Sequence, residues 1–149
     1  WNAGAAVGPG KCFDAQSIVG VEIDKNSCDI AKSNLDKLGV NGAIDLRCED
    51  GHETIRKFPD KIDYLYLDAN AGNIEGPSHG KRIYLTLLEL AYSKLAEGAL
   101  ILAHDTAIPA FQDETGHAHD YIKYVRDKSH FTASASVEIE QWGIELTVL

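Results

Sequence analysis

Acidic and imidazole side chains close the apolar runs of this chain, and any chemistry it does would lie there. Glu22 and Asp24 end the run that starts Ile18-Val19-Gly20-Val21, and Asp68 ends Ile62-Asp63-Tyr64-Leu65-Tyr66-Leu67. His104-Asp105-Thr106 follows Ala99-Leu100-Ile101-Leu102-Ala103, and Asp50 follows a weaker run over residues 43–48. One such acid would say little, because Asp also caps helices. Polar groups at four successive run ends describe a lined cleft. Ahead of them lies a glycine-rich stretch, Gly4-Ala5-Ala6-Val7-Gly8-Pro9-Gly10. Its glycines allow backbone to approach a ligand closely and supply turn geometry. Glu22 stands 12 residues beyond Gly10 and 18 beyond Gly4. A carboxylate there can accept hydrogen bonds from both hydroxyls of a ribose, the logic of dinucleotide sites. Taken alone the glycine stretch is a weak signal, and it also fits a plain flexible start.

Other candidate groups carry less. Residues 70–79, Asn-Ala-Gly-Asn-Ile-Glu-Gly-Pro-Ser-His, are the least regular stretch and follow directly on Asp68, so they predict a loop that overhangs the cleft and selects a substrate. His79 ends that stretch, where a helix cap is the commoner role for a histidine. His117 and His119, with Asp113, Glu114 and Asp120, form an HxH run that can hold a metal but more commonly decorates an exposed loop. Cys12, Cys28 and Cys48 are an odd number without a CxxC pair, which indicates neither a disulfide framework nor a zinc site. They read as ordinary small side chains in a reducing cytoplasm. Tyr64, Tyr66, Tyr84 and Tyr92 fall at strand or helix spacing and read as core packing.

The elements that must position these groups follow from the spacing of apolar residues. Residues 18–24 predict a buried parallel strand. Asp24 can cap the next helix, where Ile30, Ala31, Leu35 and Leu38 recur at helical spacing, and Gly39 sits where a C-cap glycine belongs. Residues 43–48 predict a second strand, 52–58 a short helix stopped by Pro59, and 62–68 a third strand. A long helix over about residues 80–96 carries Ile83, Leu87, Leu88, Leu90, Ala91 and Leu95 and is closed by Gly98. Residues 99–103 predict a fourth strand, and Tyr121, Ile122, Tyr124 and Val125 one more helix. Residues 131–139 and 142–149 alternate like a closing antiparallel pair. Strands alternating with helices predict a three-layer α/β fold with right-handed crossovers, in which ligands bind beyond the carboxyl ends of the strands.

Composition bounds the rest. The 149 residues are 44% hydrophobic, enough for one domain with its own core, 1–149. Lys+Arg 14 against Asp+Glu 23 give a net charge of -9, which argues against a nucleic-acid or anionic-membrane surface. No apolar run approaches the roughly 20 residues that span a bilayer.

The glycine stretch, then Val21-Glu22-Ile23-Asp24, Cys48-Glu49-Asp50-Gly51 and Leu65-Tyr66-Leu67-Asp68, resembles the class I S-adenosylmethionine-dependent methyltransferases. Ala103-His104-Asp105-Thr106 and the ending Trp142-Gly143-Ile144-Glu145-Leu146 are similar to their small-molecule O-methyltransferases, of the catechol and macrolide-sugar types. The resemblance implies a Rossmann-like sheet of seven mostly parallel strands with the last antiparallel. It places Gly4, Gly8 and Gly10 beside the cofactor S-adenosylmethionine, Glu22 on the ribose, Asp50 on the adenine side with Gly51 and His52 beside the ring, and Asp68 at the cleft. It also implies a divalent cation held by Asp68, His104 and Asp105, although catechol-type enzymes carry Asp-Asn or Asp-Asp where this chain has His104-Asp105. A nitrogen and two carboxylates suit manganese, iron or zinc better than magnesium. Without a metal, His104 could serve as general base, or His104 and Asp105 could simply order the turn.

The resemblance implies a small hydroxylated acceptor, while the acidic charge and the lack of a membrane-length apolar run argue for no nucleic acid and no membrane as partners; a homodimer is one expected assembly. A nicotinamide-dependent enzyme of the same fold class and a non-catalytic binding protein are the alternatives. Members normally carry several dozen residues and a central strand before the glycine stretch, and residues 10–17 are short for a crossover connection, which needs roughly ten or more residues. An N-terminally incomplete chain is therefore expected, with exposed sheet edges.

Overall fold

The computed structural model describes residues 17–40, 42–71, 80–106, 116–139 and 141–149. They fall into two compact units, one running to Phe58 and one from Pro59 to Leu149.

In the first unit β1 (Val19–Val21) pairs in parallel with β2 (Asp45–Arg47), Val19 opposite Asp45 and Val21 opposite Arg47. Parallel neighbours need a crossover, and α1 (Lys25–Leu38) provides it. Local chemistry fixes both of its ends. The Asp24 carboxylate accepts from the Ser27 N–H at 2.7 Å, satisfying a donor that the helix itself cannot. Gly39 closes the helix at φ 68°, a left-handed conformation that costs glycine no Cβ clash. Cys28, Ala31 and Leu35 lie on its buried stripe, while Ile30 and Leu38 of the expected apolar face are exposed. The short helix α2 (Gly51–Lys57) follows, capped by Asp50 and ended before Pro59.

One expectation is corrected in this unit. Cys28 of α1 and Cys48, just past β2, are joined as a disulfide with Cα atoms 5.9 Å apart. The two cysteines are 20 residues apart in sequence, and the β1–α1–β2 crossover brings them together. Spacing motifs register only local pairs, so a bond between such distant cysteines leaves no local signature. The bond also removes the cysteine argument for a reducing compartment.

The second unit holds β3 (Ile62–Leu67), α3 (Ile83–Tyr92), β4 (Leu95–His104), α4 (His119–Val125), β5 (Ala133–Val137) and β6 (Ile144–Val148). Its sheet runs β3-β4-β6-β5, with β3 and β4 parallel and β6 antiparallel to both β4 and β5. The antiparallel closing pair falls where alternation predicted it. The helix over residues 80–96 is shorter than predicted, and Leu95 belongs to β4. After Tyr92 the chain turns, Lys94 N–H donating to Ala91 O at 2.8 Å, and Leu95 pairs with Ile62. The next pair is Tyr64 with Leu100, and the extra residues on β4 are taken up around Gly98 at φ 74°. Gly98 therefore serves a bulge within a strand and does not close a helix. The core of this unit is built by Leu67, Tyr84, Leu87, Leu88, Ala91, Ile101, Ala103, Tyr121 and Val125.

The six strands form two sheets, β1-β2 and β3-β4-β6-β5, and no pairing between the sheets occurs among the described residues. Val21 and Tyr64, on strands that each have a single partner among the described residues, are exposed. No helix among the described residues is long and apolar enough to cross a membrane.

Candidate active site

Register builds the cluster at the carboxyl ends of β3 and β4. Leu67 stands opposite Ala103, so the next residue on each strand, Asp68 and His104, emerges side by side. His104 Nδ1 lies 3.2 Å from Asp68 Oδ1 and 3.1 Å from Asp105 Oδ1. Asp105 adopts φ 56°, and it is the described non-glycine residue with a left-handed backbone. Its N–H donates to Gly143 O at 3.0 Å, which holds the strained turn. Such strain persists where the surroundings dictate it, and it is common at functional sites.

Two residues that the sequence reading did not assign to the site complete it. Lys81, 5% exposed, brings its Nζ to 3.0 Å from Asp105 Oδ2 and 3.4 Å from Asp68 Oδ1. It also donates to Tyr84 Oη at 2.7 Å, and Tyr84 in turn donates to the His104 carbonyl at 3.1 Å. Burial, then the charges of Asp68 and Asp105, push the Tyr84 phenol far above its ordinary pKa, so it stays protonated. Tyr84 packs in the core as expected, and its hydroxyl reaches the cluster as well. Lysine before a helix carries no motif, so only the fold reveals Lys81.

Behind the cluster a buried network braces the strand ends. Thr106 Oγ1 donates to Ala103 O at 2.9 Å and accepts from Glu145 N–H at 2.8 Å. The fully buried Glu145 carboxylate receives Arg126 at 2.9 Å on each oxygen, Ser134 at 2.7 Å and Ser136 at 2.6 Å. Burial alone would raise its pKa, but the hydrogen bonds and charge of Arg126 with the two serines hold it below the ordinary carboxylate range.

The ligand atoms of Asp68, His104 and Asp105 lie within 4.8 Å of one another, a spread that one ion could bridge. The donor types are suitable, but the Lys81 ammonium already binds both carboxylates. A divalent ion about 4 Å from a fixed ammonium would meet a repulsion on the order of 8 kcal/mol at an effective dielectric near 20. Lys81 therefore competes with a divalent cation for the two carboxylates.

The first unit gathers the residues expected on the cofactor side. Because β1 and β2 are parallel, Glu22 and Asp50 follow strands that end at the same edge. The Glu22 carboxylate accepts from Asp24 N–H at 2.8 Å, which orients it beyond β1. Asp50 Oδ1 accepts from His52 N–H at 2.7 Å and lies 2.9 Å from His52 Nδ1. Burial works against ionisation of Asp50, and the His52 contacts outweigh it, holding its pKa below the usual value. Gly51 opens α2. Gly4, Gly8, Gly10, His79, Asp113 and Glu114 lie outside the described residues. His117 packs against Gly80, His119 begins α4, and Asp120 is exposed beside it.

Neither a family model nor a curated protein matches the sequence. Solved structures do match. An O-methyltransferase from Bacillus cereus, solved with S-adenosylhomocysteine, superposes with a TM-score of 0.71 at 15% identity, over 89% of this chain and 62% of that one. The O-methyltransferase TomG from Streptomyces achromogenes, involved in tomaymycin synthesis and solved with S-adenosylmethionine, gives 0.68 at 16%, over 89% and 61%. The chain has the methyltransferase fold. A protein from Clostridium thermocellum described as an rRNA methylase shares that fold at a TM-score of 0.64 and 12% identity, over 89% and 74%. The present chain thus spans about 62% of the length of the Bacillus methyltransferase and 61% of TomG. The Rossmann-like α/β class implied by the motifs is the class found, with the antiparallel closing strand in place.

Proposed function

We propose that this chain carries out S-adenosylmethionine-dependent O-methylation of a small hydroxylated molecule. The observation that carries the reading is the convergence of Asp68, His104 and Asp105 at the carboxyl ends of two parallel strands of a methyltransferase fold. That is where ligands of open α/β sheets bind.

Gly4, Gly8 and Gly10 would let backbone approach the cofactor, Glu22 would accept from the ribose hydroxyls, and Asp50, Gly51 and His52 would flank the adenine. S-adenosylmethionine supplies a methyl group on a positively charged sulfur. The chain's own residues then have two tasks, to hold the acceptor hydroxyl in line and to take its proton. Carboxylate oxygens near His104 Nδ1 keep the ring proton on that nitrogen and make Nε2 the basic one. His104 would remove the hydroxyl proton as the O–CH3 bond forms and the S–CH3 bond breaks, and Asp68 and Asp105 would stabilise the imidazolium. Positioning supplies most of the acceleration, since the reactants need only an in-line approach. A divalent cation is left out of the proposal because Lys81 binds the carboxylates that would hold it.

Calorimetric titration with S-adenosylhomocysteine tests the cofactor half. Binding is expected, and Glu22→Ala should weaken it by about tenfold or more, the loss of a hydrogen bond to a charged group. A folded chain that takes up none would sink the reading. A methyl-transfer assay over a panel of hydroxylated compounds tests the acceptor half, with His104→Ala expected to lose roughly 100-fold or more in rate.

A further inference from the structure

We propose that Lys81 is the built-in cation of the Asp68–Asp105 cluster, standing where a divalent metal would otherwise be held and fixing both carboxylates against His104. The charge arrangement stands on geometry, and its bearing on catalysis rests on the methyl-transfer reading above.

An ammonium has three donors, and at Lys81 each has an acceptor: Asp105, Asp68 and the Tyr84 hydroxyl. The Tyr84 ring centroid also lies 5.1 Å from Nζ. A buried lysine without such partners would be expensive to keep charged, so this one is built for its surroundings. The backbone before it is fixed as well. Ala71 N–H donates to Gly80 O at 3.2 Å, which holds the Gly80 backbone beside the end of β3. Gly80 holds φ 58°, and the His117 imidazole fills the space where a Cβ would project. No residue but glycine fits there without movement, and Lys81 is delivered at a fixed point. Tyr84 N–H then donates to Lys81 O at 3.1 Å as α3 begins.

Two carboxylates and one ammonium leave a single negative charge facing the His104 ring. That charge suffices to orient an imidazole and support its protonated form. It leaves little attraction for a doubly charged ion beside an immobile positive group. Lys81 is on this account a positioning residue, acting through Asp68 and Asp105.

Manganese binding to the full chain, followed by loss of the free-ion electron paramagnetic resonance signal, tests this without cofactor or acceptor. Lys81→Met should bind manganese about tenfold or more tightly than the wild type, because the competing charge is gone. The double variant Lys81→Met, Asp68→Asn should lose that gain. Equal affinity of wild type and Lys81→Met, whether tight or absent, overturns the proposal. Circular dichroism melts establish that the variants fold.

Should Lys81→Met not fold, the wild type carries the test through acetylation rates measured by mass spectrometry. Lys81 should react about tenfold more slowly than the exposed Lys25, as buried, bonded groups do, and manganese should leave its rate unchanged. Reaction as fast as Lys25, or acceleration by manganese, means that a metal or solvent displaces the ammonium, and the proposal fails. Neither arm involves S-adenosylhomocysteine, so failure of the cofactor reading would show separately.

Discussion

Glu145 takes a carboxylate to a position with no solvent exposure, which would be costly without its partners. Arg126, Ser134 and Ser136 supply four hydrogen bonds to its two oxygens. Its folded-state pKa therefore lies below that of the unfolded chain, near 4.3. The stability it contributes is present above that value and is lost as pH falls through the lower folded value. Urea unfolding should show the wild type losing stability below about pH 4, and Glu145→Gln should flatten that part of the profile. At neutral pH Arg126→Ala should cost about 3 kcal/mol, since it strips a buried carboxylate of its counter-charge. A Glu145→Gln profile identical to the wild type's would show that this carboxylate does not titrate with folding. The same network fixes Thr106, which bonds both Ala103 and Glu145, so the residues that brace the strand end also hold the turn carrying Asp105.

At the level of elements, the disulfide links the buried side of α1 to the end of β2, just before Glu49 and Asp50. Cross-linking 20 residues restricts the unfolded chain and should stabilise the fold by about 3 kcal/mol, so reductant should lower the melting temperature. Thiol titration of denatured protein checks the bond itself. Two more thiols should react after reduction than before it. Three reactive thiols in unreduced protein would mean that the bond does not form. How much of this was legible in the sequence depends on how local each feature is. Asp24 and Gly39 bound α1 through contacts within four residues, and both ends were readable. Leu95 continues the helical spacing of Leu87, Leu88 and Ala91, yet pairing with Ile62 claims it for β4. Strand pairing outweighed periodicity there, and no window on the sequence contains both residues. The placing of Asp68, His104 and Asp105 at strand ends was readable because each closes an apolar run. Lys81 and the Cys28–Cys48 bond were not, because their partners come from elsewhere in the chain.

For the molecule as a whole, net charge favours one of the two kinds of acceptor that the fold leaves open. The structural neighbours include proteins described as O-methyltransferases and one described as an rRNA methylase, and shared fold does not choose between them. RNA binding draws most of its affinity from phosphate neutralised by Lys and Arg, and it weakens steeply with salt. This chain has 14 such residues against 23 acids and a net charge of -9, so a phosphate backbone would meet net repulsion. Fluorescence anisotropy with a structured RNA at about 0.15 M salt should therefore show no binding. Saturating S-adenosylhomocysteine at about 100 times its Kd should contribute about 2.7 kcal/mol and raise the melting temperature by roughly 5–10 °C. A small hydroxylated acceptor adds no comparable charge, so the response to cofactor should depend little on salt. RNA binding whose affinity falls by powers of ten as salt rises would overturn the small-acceptor reading and leave the cofactor reading standing.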